Sequence, residues 1–225
     1  MAFIAPSLFA SDFARLGEAL ELIKAAGATM VHLDVVDGHF VPGITAGQPV
    51  VKSVRRATDL ALDVHLLVER PERYAAEFVD SGADRVSVHP EATTNLHRVL
   101  EIIHARGAKV GAALNPSTPL DAVAEALGQL DFLTILAADP GLKEQSFVSG
   151  SFDKVRAAAR MRDERRLKFA IQVEGGATFD RVESFIRAGA DILVAGSAIF
   201  DNENPKARLE DWIRLAASAP ETLKV

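Results

Sequence analysis

Short runs of apolar, often β-branched residues recur along the chain and alternate with stretches whose apolar positions lie three or four residues apart. The runs are typical of strands buried on both faces, and the wider spacing is typical of amphipathic helices. Eight runs are found, at residues 3–7, 30–34, 61–67, 85–89, 109–114, 132–136, 168–173 and 192–196. The pattern therefore predicts a strand followed by a helix throughout the chain.

A glycine followed by alanine ends several of the helical stretches shortly before the next strand begins. Glycine stops a helix readily because it adopts the left-handed conformation without strain. The four copies of this signal are at Gly27, Gly82, Gly107 and Gly189. The clearest helical stretches are residues 12–25, with Phe13, Leu16, Leu20 and Ile23 on one face, residues 179–188, with Val182, Phe185 and Ile186, and residues 205–218, with Trp212.

Eight strand and helix units in 225 residues fit a compact (β/α)₈ (TIM) barrel better than an open doubly wound sheet. Such barrels usually contain about 250 residues. No linker rich in proline or serine divides the chain. We therefore expect an α/β fold with one barrel domain over residues 1–225, whose outer ring the last helical stretch completes.

Composition and charge narrow the classes of function. The chain is 48% hydrophobic and 25% charged, with a formal net charge of −6, which argues against general binding of nucleic acid. It shows neither a signal segment nor an apolar run of membrane-spanning length, so we expect a cytoplasmic protein without a membrane partner. There is no cysteine, so any metal must be held by His, Asp and Glu.

Polar residues that can bind metal or move protons occur at the predicted carboxyl ends of strands. In a (β/α)₈ barrel these ends, and the loops after them, form the functional site. His32 and Asp34 share one strand face, His65 lies at the end of the third strand, and Glu174 ends the seventh. Together they predict a site for one divalent ion, with Zn²⁺ as the first expectation and Mn²⁺, Fe²⁺ or Co²⁺ as alternatives.

Two carboxylates in such a site suit inversion of a carbon centre. Asp34 and Glu174, placed across a substrate, would remove a proton from one face of a carbon and return one to the other. A metal ion would stabilise the negative charge that develops on the neighbouring oxygens. Gly175, Gly176, Gly196 and Ser197 follow strands seven and eight, the usual phosphate site of this fold, which predicts a phosphorylated substrate.

Five segments also resemble a known family. They read IAPS and SDF within residues 4–13, HLDVVDGHFVP at 32–42, LDVHL at 62–66, LNPSTP at 114–119 and VAGSAIF at 194–200. Over nearly its whole length the chain resembles the ribulose-phosphate 3-epimerases. The resemblance implies a metal-dependent interconversion of D-ribulose 5-phosphate and D-xylulose 5-phosphate at C3, through an enediolate, by a homo-oligomer.

The same resemblance implies roles for individual residues. His32, Asp34 and His65 bind the metal, and Asp34 is also one of the two proton-transferring acids. With the loop after strand six, which covers the substrate in the family, the expected substrate contacts are Ser7, His65, Gly141, Leu142, Lys143, Glu144, Gly175, Gly176, Gly196 and Ser197.

The chain departs from the family pattern at several places around this site. The second acid is an aspartate in the family and Glu174 here, one methylene longer. The loop usually reads NPGFGGQ but is DPGLKEQ at residues 139–145, where Lys143 either replaces backbone contacts to phosphate or, with Glu144, faces solvent. Family methionines that line the substrate are replaced by Val36, Leu67 and Leu136.

These departures leave alternatives to a ribulose-phosphate epimerase. One is an epimerase of the same mechanism that acts on another ketose phosphate, such as a tetrulose or hexulose phosphate. Another is a sugar-phosphate-binding relative without catalytic activity. A lyase of the orotidine-monophosphate decarboxylase type is disfavoured, because residues 34–37 lack the lysine of its Asp-x-Lys-x-x-Asp motif.

Overall fold

Eight parallel strands form the wall of a barrel in the computed structural model, which describes residues 2–141 and 146–218. They are β1 (Phe3–Pro6), β2 (Met30–Val36), β3 (Ala61–Leu67), β4 (Arg85–Val88), β5 (Lys109–Leu114), β6 (Phe132–Leu136), β7 (Ala170–Glu174) and β8 (Ile192–Ala195). Strands adjacent in sequence are adjacent in the sheet, and β1 pairs with β8. A parallel bridge between Ser7 and His32 joins β1 to β2. The predicted (β/α)₈ barrel is confirmed.

Helices surround the strands. They are α1 (Leu16–Ala25), α2 (Gln48–Ala57), α3 (Ala75–Asp80), α4 (Leu96–His104), α5 (Ser151–Glu164), α6 (Val182–Ala188), α7 (Ser197–Phe200) and α8 (Pro205–Ser218). The four glycines predicted to end helices have φ between 83° and 112°, the left-handed conformation expected of them. None of the helices in the described part of the chain is long and apolar enough to cross a membrane.

Three features of the helical layer differ from the sequence prediction. The stretch 179–188 begins with a 3₁₀ turn, Phe179–Arg181, so α6 starts at Val182. The stretch from residue 12 begins with a 3₁₀ turn, Phe13–Arg15, capped by the Asp12 side chain, so α1 starts at Leu16. Phe13 therefore lies outside the buried helix face and is 44% exposed. Between β5 and β6 the chain forms two 3₁₀ turns, Leu120–Val123 and Leu127–Gln129, instead of an α-helix. Gly128 in the second turn disfavours continuous helix.

Strand boundaries differ from the prediction by one or two residues. Strand β2 continues two residues beyond Asp34, and β7 extends to Glu174, because both are paired over that length with β3 and β6 respectively. The register sets His32 beside Asp63 and Asp34 beside His65. These four side chains consequently share the inner face of the barrel, while their apolar neighbours pack outward against the helices.

The interior of the barrel is layered. Towards the amino ends of the strands it is filled by a small apolar cluster of Ala5, Met30, Ala170, Ile192 and Val194. Nearer the carboxyl ends, strands β2, β3, β4 and β7 contribute polar side chains instead. Burying polar groups at this depth is costly unless they are paired, which marks this end of the barrel as specialised.

Candidate active site

The four residues predicted to bind metal meet at the carboxyl end of the barrel. One ligand atom from each of His32, Asp34, His65 and Glu174 lies within 4.8 Å of all the others. His32 Nε2 is 3.3 Å from Asp34 Oδ1 and 3.4 Å from Glu174 Oε2. His65 Nδ1 is 3.6 Å from the same oxygen of Asp34 and 2.9 Å from that of Glu174. Two imidazoles and two carboxylates thus converge on one point.

Exposure differs between the two kinds of side chain in this group. The His32 and His65 side chains are fully buried, whereas those of Asp34 and Glu174 are 11% and 12% exposed. The carboxylates are therefore the groups that a molecule entering the mouth of the barrel would meet. Strands β2 and β7 lie three places apart around the barrel, so the two acids approach this mouth from different sides.

A buried polar network fixes the orientation of His32. Its Nδ1 lies 2.8 Å from Asp63 Oδ2, which leaves Nε2 to face the carboxylates of the site. Arg85 Nε donates to the other oxygen of Asp63 at 3.0 Å, and Gln172 Nε2 donates to Oδ2 at 2.9 Å. Burial raises the pKa of Asp63, but His32 and Arg85 outweigh it and hold that pKa at about 2. Asp63 is thus an ionised hydrogen-bond acceptor beneath His32.

His65 is oriented by another histidine. Its Nε2 lies 2.9 Å from His89 Nε2, and both rings are fully buried and stacked with their centroids 5.0 Å apart. His89 Nδ1 in turn lies 3.3 Å from Glu91 Oε2. This arrangement leaves His65 Nδ1 directed at Asp34 and Glu174.

The charges in the site shift one another's pKa values. Burial lowers the pKa of His65, but the Glu174 and Asp34 carboxylates raise it to about 9. They also raise the pKa of His32 well above its ordinary value, against the effect of burial. Burial raises the pKa of both Asp34 and Glu174, yet the imidazoles lower each below its ordinary value. Both acids are consequently ionised at neutral pH.

The donor set fits a divalent metal ion. Ligand atoms bonded at about 2.0–2.2 Å to one tetrahedral ion lie about 3.3–3.6 Å from one another, and three of the four measured separations are 3.3, 3.4 and 3.6 Å. His65 Nδ1 and Glu174 Oε2 are buried and lie 2.9 Å apart, and neither makes a hydrogen bond of good geometry among the described residues. Two such atoms aimed at a common point are what a metal site requires.

The loops predicted to bind substrate gather around the same mouth. Ser7 donates its hydroxyl hydrogen to Asp34 Oδ2 at 2.8 Å, so it touches one of the acids directly. A Cβ built on Gly196 would lie 3.7 Å from that of Ser7, which places the loop after β8 beside β1. Ser197, the first residue of α7, is exposed beside it.

The loops after β6 and β7 approach each other closely. Gly175 and Gly176 have φ of 75° and 62°, and a Cβ on Gly175 would lie 3.2 Å from the backbone nitrogen of Ala138. Gly141 packs against the loop after β2 at Val41. The other predicted contacts of this loop, Leu142, Lys143 and Glu144, lie outside the described residues.

One wall of the mouth is apolar. Val36, Val41 and Leu67 form a buried cluster with Phe40 packed against it. Leu136 is buried on β6, in register with Glu174. Val36, Leu67 and Leu136 are branched, so this wall is stiffer than one lined by methionine.

Several residues of this site were not singled out from the sequence. They are Asp63, Arg85, His89, Glu91 and Gln172. A signal was present, because Asp63 and Gln172 lie two residues before His65 and Glu174, the spacing that sends side chains to the same face of a strand. What the spacing does not tell is which strands face each other, and Gln172 meets Asp63 across 109 residues.

Comparison with known proteins agrees with this geometry. The model of the ribulose-phosphate 3 epimerase family matches residues 3–200. A ribulose-phosphate 3-epimerase from Bacillus subtilis (strain 168) is 41% identical over 92% of this chain and 96% of its own length. One from Synechocystis sp. is 44% identical over 89% of this chain and 88% of its own.

Solved structures with low sequence identity share the fold. KGPDC from Streptococcus mutans superposes with a TM-score of 0.73 at 12% identity, covering 97% of this chain and 99% of its own. Thiamine phosphate pyrophosphorylase from Pyrococcus furiosus gives a TM-score of 0.69 at 17% identity, covering 97% and 96%. The family match and the curated relatives together show that this chain belongs to the ribulose-phosphate 3-epimerases, isomerases of the epimerase class that act on carbohydrates.

Proposed function

We propose that the protein inverts C3 of a ketose phosphate, D-ribulose 5-phosphate to D-xylulose 5-phosphate, with Asp34 and Glu174 as the two proton-transferring acids. The observation that carries the proposal is the placement of these carboxylates. Each has one oxygen within 3.4 Å of His32 Nε2, and each keeps about a tenth of its side chain exposed at the mouth. A carbon held between them would have an acid on either face.

The proton balance follows from this placement. One carboxylate, ionised because of its depressed pKa, takes the proton from C3 on one face of the substrate. The electron pair moves onto the adjacent carbonyl oxygen, which gives an enediolate. The other acid takes up a proton from solvent before this step, because both carboxylates are ionised in the free site. It then delivers that proton to C3 from the opposite face and restores the carbonyl. The reverse reaction exchanges the two roles.

His32, Asp34, His65 and Glu174 would hold the divalent ion. When bound, such an ion supplies Lewis-acid stabilisation of the negative charge on the substrate oxygens, worth several kcal/mol. Asp63 and His89 keep the ligand atoms of the two imidazoles pointed into the site. The Ser7 hydroxyl donates to Asp34 Oδ2, which leaves Asp34 Oδ1 as the oxygen nearer the imidazoles.

The phosphate group would be bound by backbone N–H groups after β7 and β8, at Gly175, Gly176, Gly196 and Ser197. Side chains are absent at three of these positions, so a phosphate can approach the backbone closely. The names of the curated relatives support ribulose phosphate as the substrate. Glu174 and the sequence of residues 139–145 favour a second candidate, the same reaction on a tetrulose or hexulose phosphate.

Deuterium exchange tests the proposal directly. The purified protein, supplied with Zn²⁺, Mn²⁺ or Co²⁺, is incubated in deuterated water with a panel of pentulose, tetrulose and hexulose phosphates, and label at C3 is followed by NMR. We expect exchange and epimerisation to be fastest with D-ribulose 5-phosphate. Asp34→Asn and Glu174→Gln, which keep the shape of each acid, should abolish epimerisation. Exchange with no member of the panel would contradict the proposal.

Homo-oligomeric assembly and a cytoplasmic location accompany this proposal as predictions. Both derive from the resemblance and the composition, and light scattering and cell fractionation test them.

A further inference from the structure

A chain of hydrogen bonds, buried at its two imidazoles and exposed at its outer end, leads from the candidate metal site into the loop after strand β4. It begins at His65 Nε2, which meets His89 Nε2 at 2.9 Å, and continues from His89 Nδ1 to Glu91 Oε2 at 3.3 Å. The Phe40 ring covers His89 with a centroid separation of 4.8 Å. Because both imidazoles are fully buried, the two facing Nε2 atoms and His89 Nδ1 must be paired within this chain of contacts.

The second oxygen of Glu91 determines the direction of these bonds. Glu91 Oε1 accepts from the backbone N–H of Asn115 at 3.1 Å and from the Thr118 hydroxyl. Burial raises the pKa of Glu91, but His89 and Thr118 lower it to about 2, so the carboxylate is ionised and both of its oxygens accept. His89 Nδ1 must then carry the hydrogen that it shares with Oε2.

The donor and acceptor roles set at Glu91 also decide those at His65 in the candidate metal site. A neutral His89 with its hydrogen on Nδ1 has a lone pair on Nε2, and this lone pair accepts from His65 Nε2–H. Once His65 gives up its second proton to bind a metal, the hydrogen that it shares with His89 stays on Nε2, and Nδ1 presents a lone pair. That atom lies 2.9 Å from Glu174 Oε2 and is the one directed at the metal position.

We propose that Glu91 and His89 are positioning residues that fix the tautomer of His65, so that Nδ1 and not Nε2 presents a lone pair to the metal. The inference rests on the metal site of the proposed function. The two imidazole ligands then differ, since His32 is held directly by the carboxylate of Asp63 and His65 through an intervening neutral histidine. Partners of this kind typically contribute about 10- to 100-fold to metal affinity.

Glu91→Gln provides a sharp test, because the contacts of the side chain dictate how the amide must lie. The N–H of Asn115 only donates, so the amide oxygen of glutamine must take the place of Oε1. Its NH₂ group then faces His89 Nδ1 and favours the tautomer of His89 with a lone pair on Nδ1 and the hydrogen on Nε2. That hydrogen points at the Nε2–H of His65, so the two N–H groups oppose each other. We expect Zn²⁺ to bind about 10- to 100-fold more weakly, by competition with a chromophoric chelator.

Two further variants separate this effect from a structural one. Glu91→Ala leaves His89 without an imposed tautomer, so it should weaken Zn²⁺ binding less than Glu91→Gln, although it removes more contacts. A merely structural role predicts the reverse order. Glu101→Gln is the matched control, since Glu101 Oε2 lies 3.7 Å from His97 Nδ1 on an exposed helix face, and it should leave the affinity unchanged.

The tautomers can also be read spectroscopically. In the Zn²⁺-loaded wild type, ¹⁵N NMR of the imidazoles should show His65 protonated on Nε2 and His89 on Nδ1, and Glu91→Gln should change the His89 pattern. Wild-type affinity and ¹⁵N shifts retained in Glu91→Gln would overturn the inference while leaving the metal site intact. Failure of the wild type itself to bind Zn²⁺, Mn²⁺ or Co²⁺ would overturn both the inference and the metal-dependent function.

Discussion

At the scale of single residues, Glu174 is the position where this chain differs most from the chemistry that its family resemblance implies. Its longer side chain still delivers Oε2 to within 2.9 Å of His65 Nδ1 and 3.4 Å of His32 Nε2. Strand β7 is paired with β6 as far as Glu174 itself, which holds the backbone at this point. The paired backbone therefore holds residue 174 at a position from which the longer glutamate side chain reaches both imidazoles.

We predict that Glu174→Asp lowers kcat by about 10- to 100-fold, because the shorter side chain withdraws the oxygen by roughly 1 Å from where it acts. Steady-state kinetics with D-ribulose 5-phosphate provide the measurement, and metal affinity should fall in parallel. Glu174→Gln, which keeps the length but not the proton chemistry, is the comparison variant. A Glu174→Asp enzyme as fast as wild type would show that the extra methylene has no role in placing the acid.

The depressed pKa of Glu91 predicts a pH dependence of stability. The folded-state pKa is about 2, against an ordinary value of 4.5, so acid protonates this group in the unfolded chain first. Its stabilising contribution is present above about pH 5 and is lost as the pH falls towards 2. The difference in unfolding free energy between wild type and Glu91→Gln should therefore shrink over this interval, in urea titrations of the metal-free proteins. A difference that stays constant with pH would contradict the assignment.

At the scale of secondary-structure elements, the inner faces of the strands are fitted to one another. Gly111 on β5 is in register with Phe132 on β6, and a Cβ on Gly111 would lie 2.3 Å from Cζ of that ring. Arg85 on β4 lies over the same ring, 3.9 Å from its centroid, and donates to Asp63 and Gln172. A glycine on one strand thus makes room for an aromatic residue that supports the polar network under His32.

Gly111→Ala should destabilise the protein by about 1–3 kcal/mol, because the new methyl group overlaps a fully buried ring and overpacks the barrel interior. Urea unfolding measures the loss of stability. Metal affinity should fall as well, since Arg85 packs on the Phe132 ring and donates to Asp63, which orients His32. Gly17→Ala is the control, because nothing lies within 4 Å of a Cβ at that position of α1. Equal stability of the two variants would show that the close contact with Phe132 is relieved without cost.

At the scale of the whole molecule, closure of the barrel creates the site. The bridge between Ser7 and His32 joins the first strand to the second, and it brings the Ser7 hydroxyl onto Asp34. Residues of β2, β3 and β7 then face a common interior point, and their carboxylates repel each other unless a cation or protonated imidazoles lie between them. A ligand ion would therefore stabilise the folded barrel and would have no equivalent site in the unfolded chain.

Zn²⁺ at 100 times its dissociation constant should raise the unfolding free energy by about 2.7 kcal/mol and the melting temperature by about 5–10 °C. Differential scanning fluorimetry with and without EDTA tests this, and EDTA should abolish epimerisation at the same time. His65→Asn should remove the metal-dependent shift. A shift of equal size in His65→Asn would place the stabilising ion elsewhere.

The sequence by itself determined the order of elements and the identity of the four central residues. Strands, helix ends and the shared face of His32 and Asp34 depend on short-range sterics and side-chain periodicity. These involve only neighbouring positions, so they can be recognised in the sequence. The 3₁₀ turns between β5 and β6 were missed because the same apolar spacing suits either kind of helix over a few residues.

Only the tertiary structure decided which strands face one another across the barrel. It placed Gln172 on Asp63 and His89 on His65, and it linked Glu91 to the loop at Asn115. These contacts span 24 to 109 residues and depend on strand register and barrel closure, which no local pattern encodes. The sequence therefore identifies the acids and imidazoles of the site, whereas the closed barrel determines which nitrogen of each imidazole faces the site.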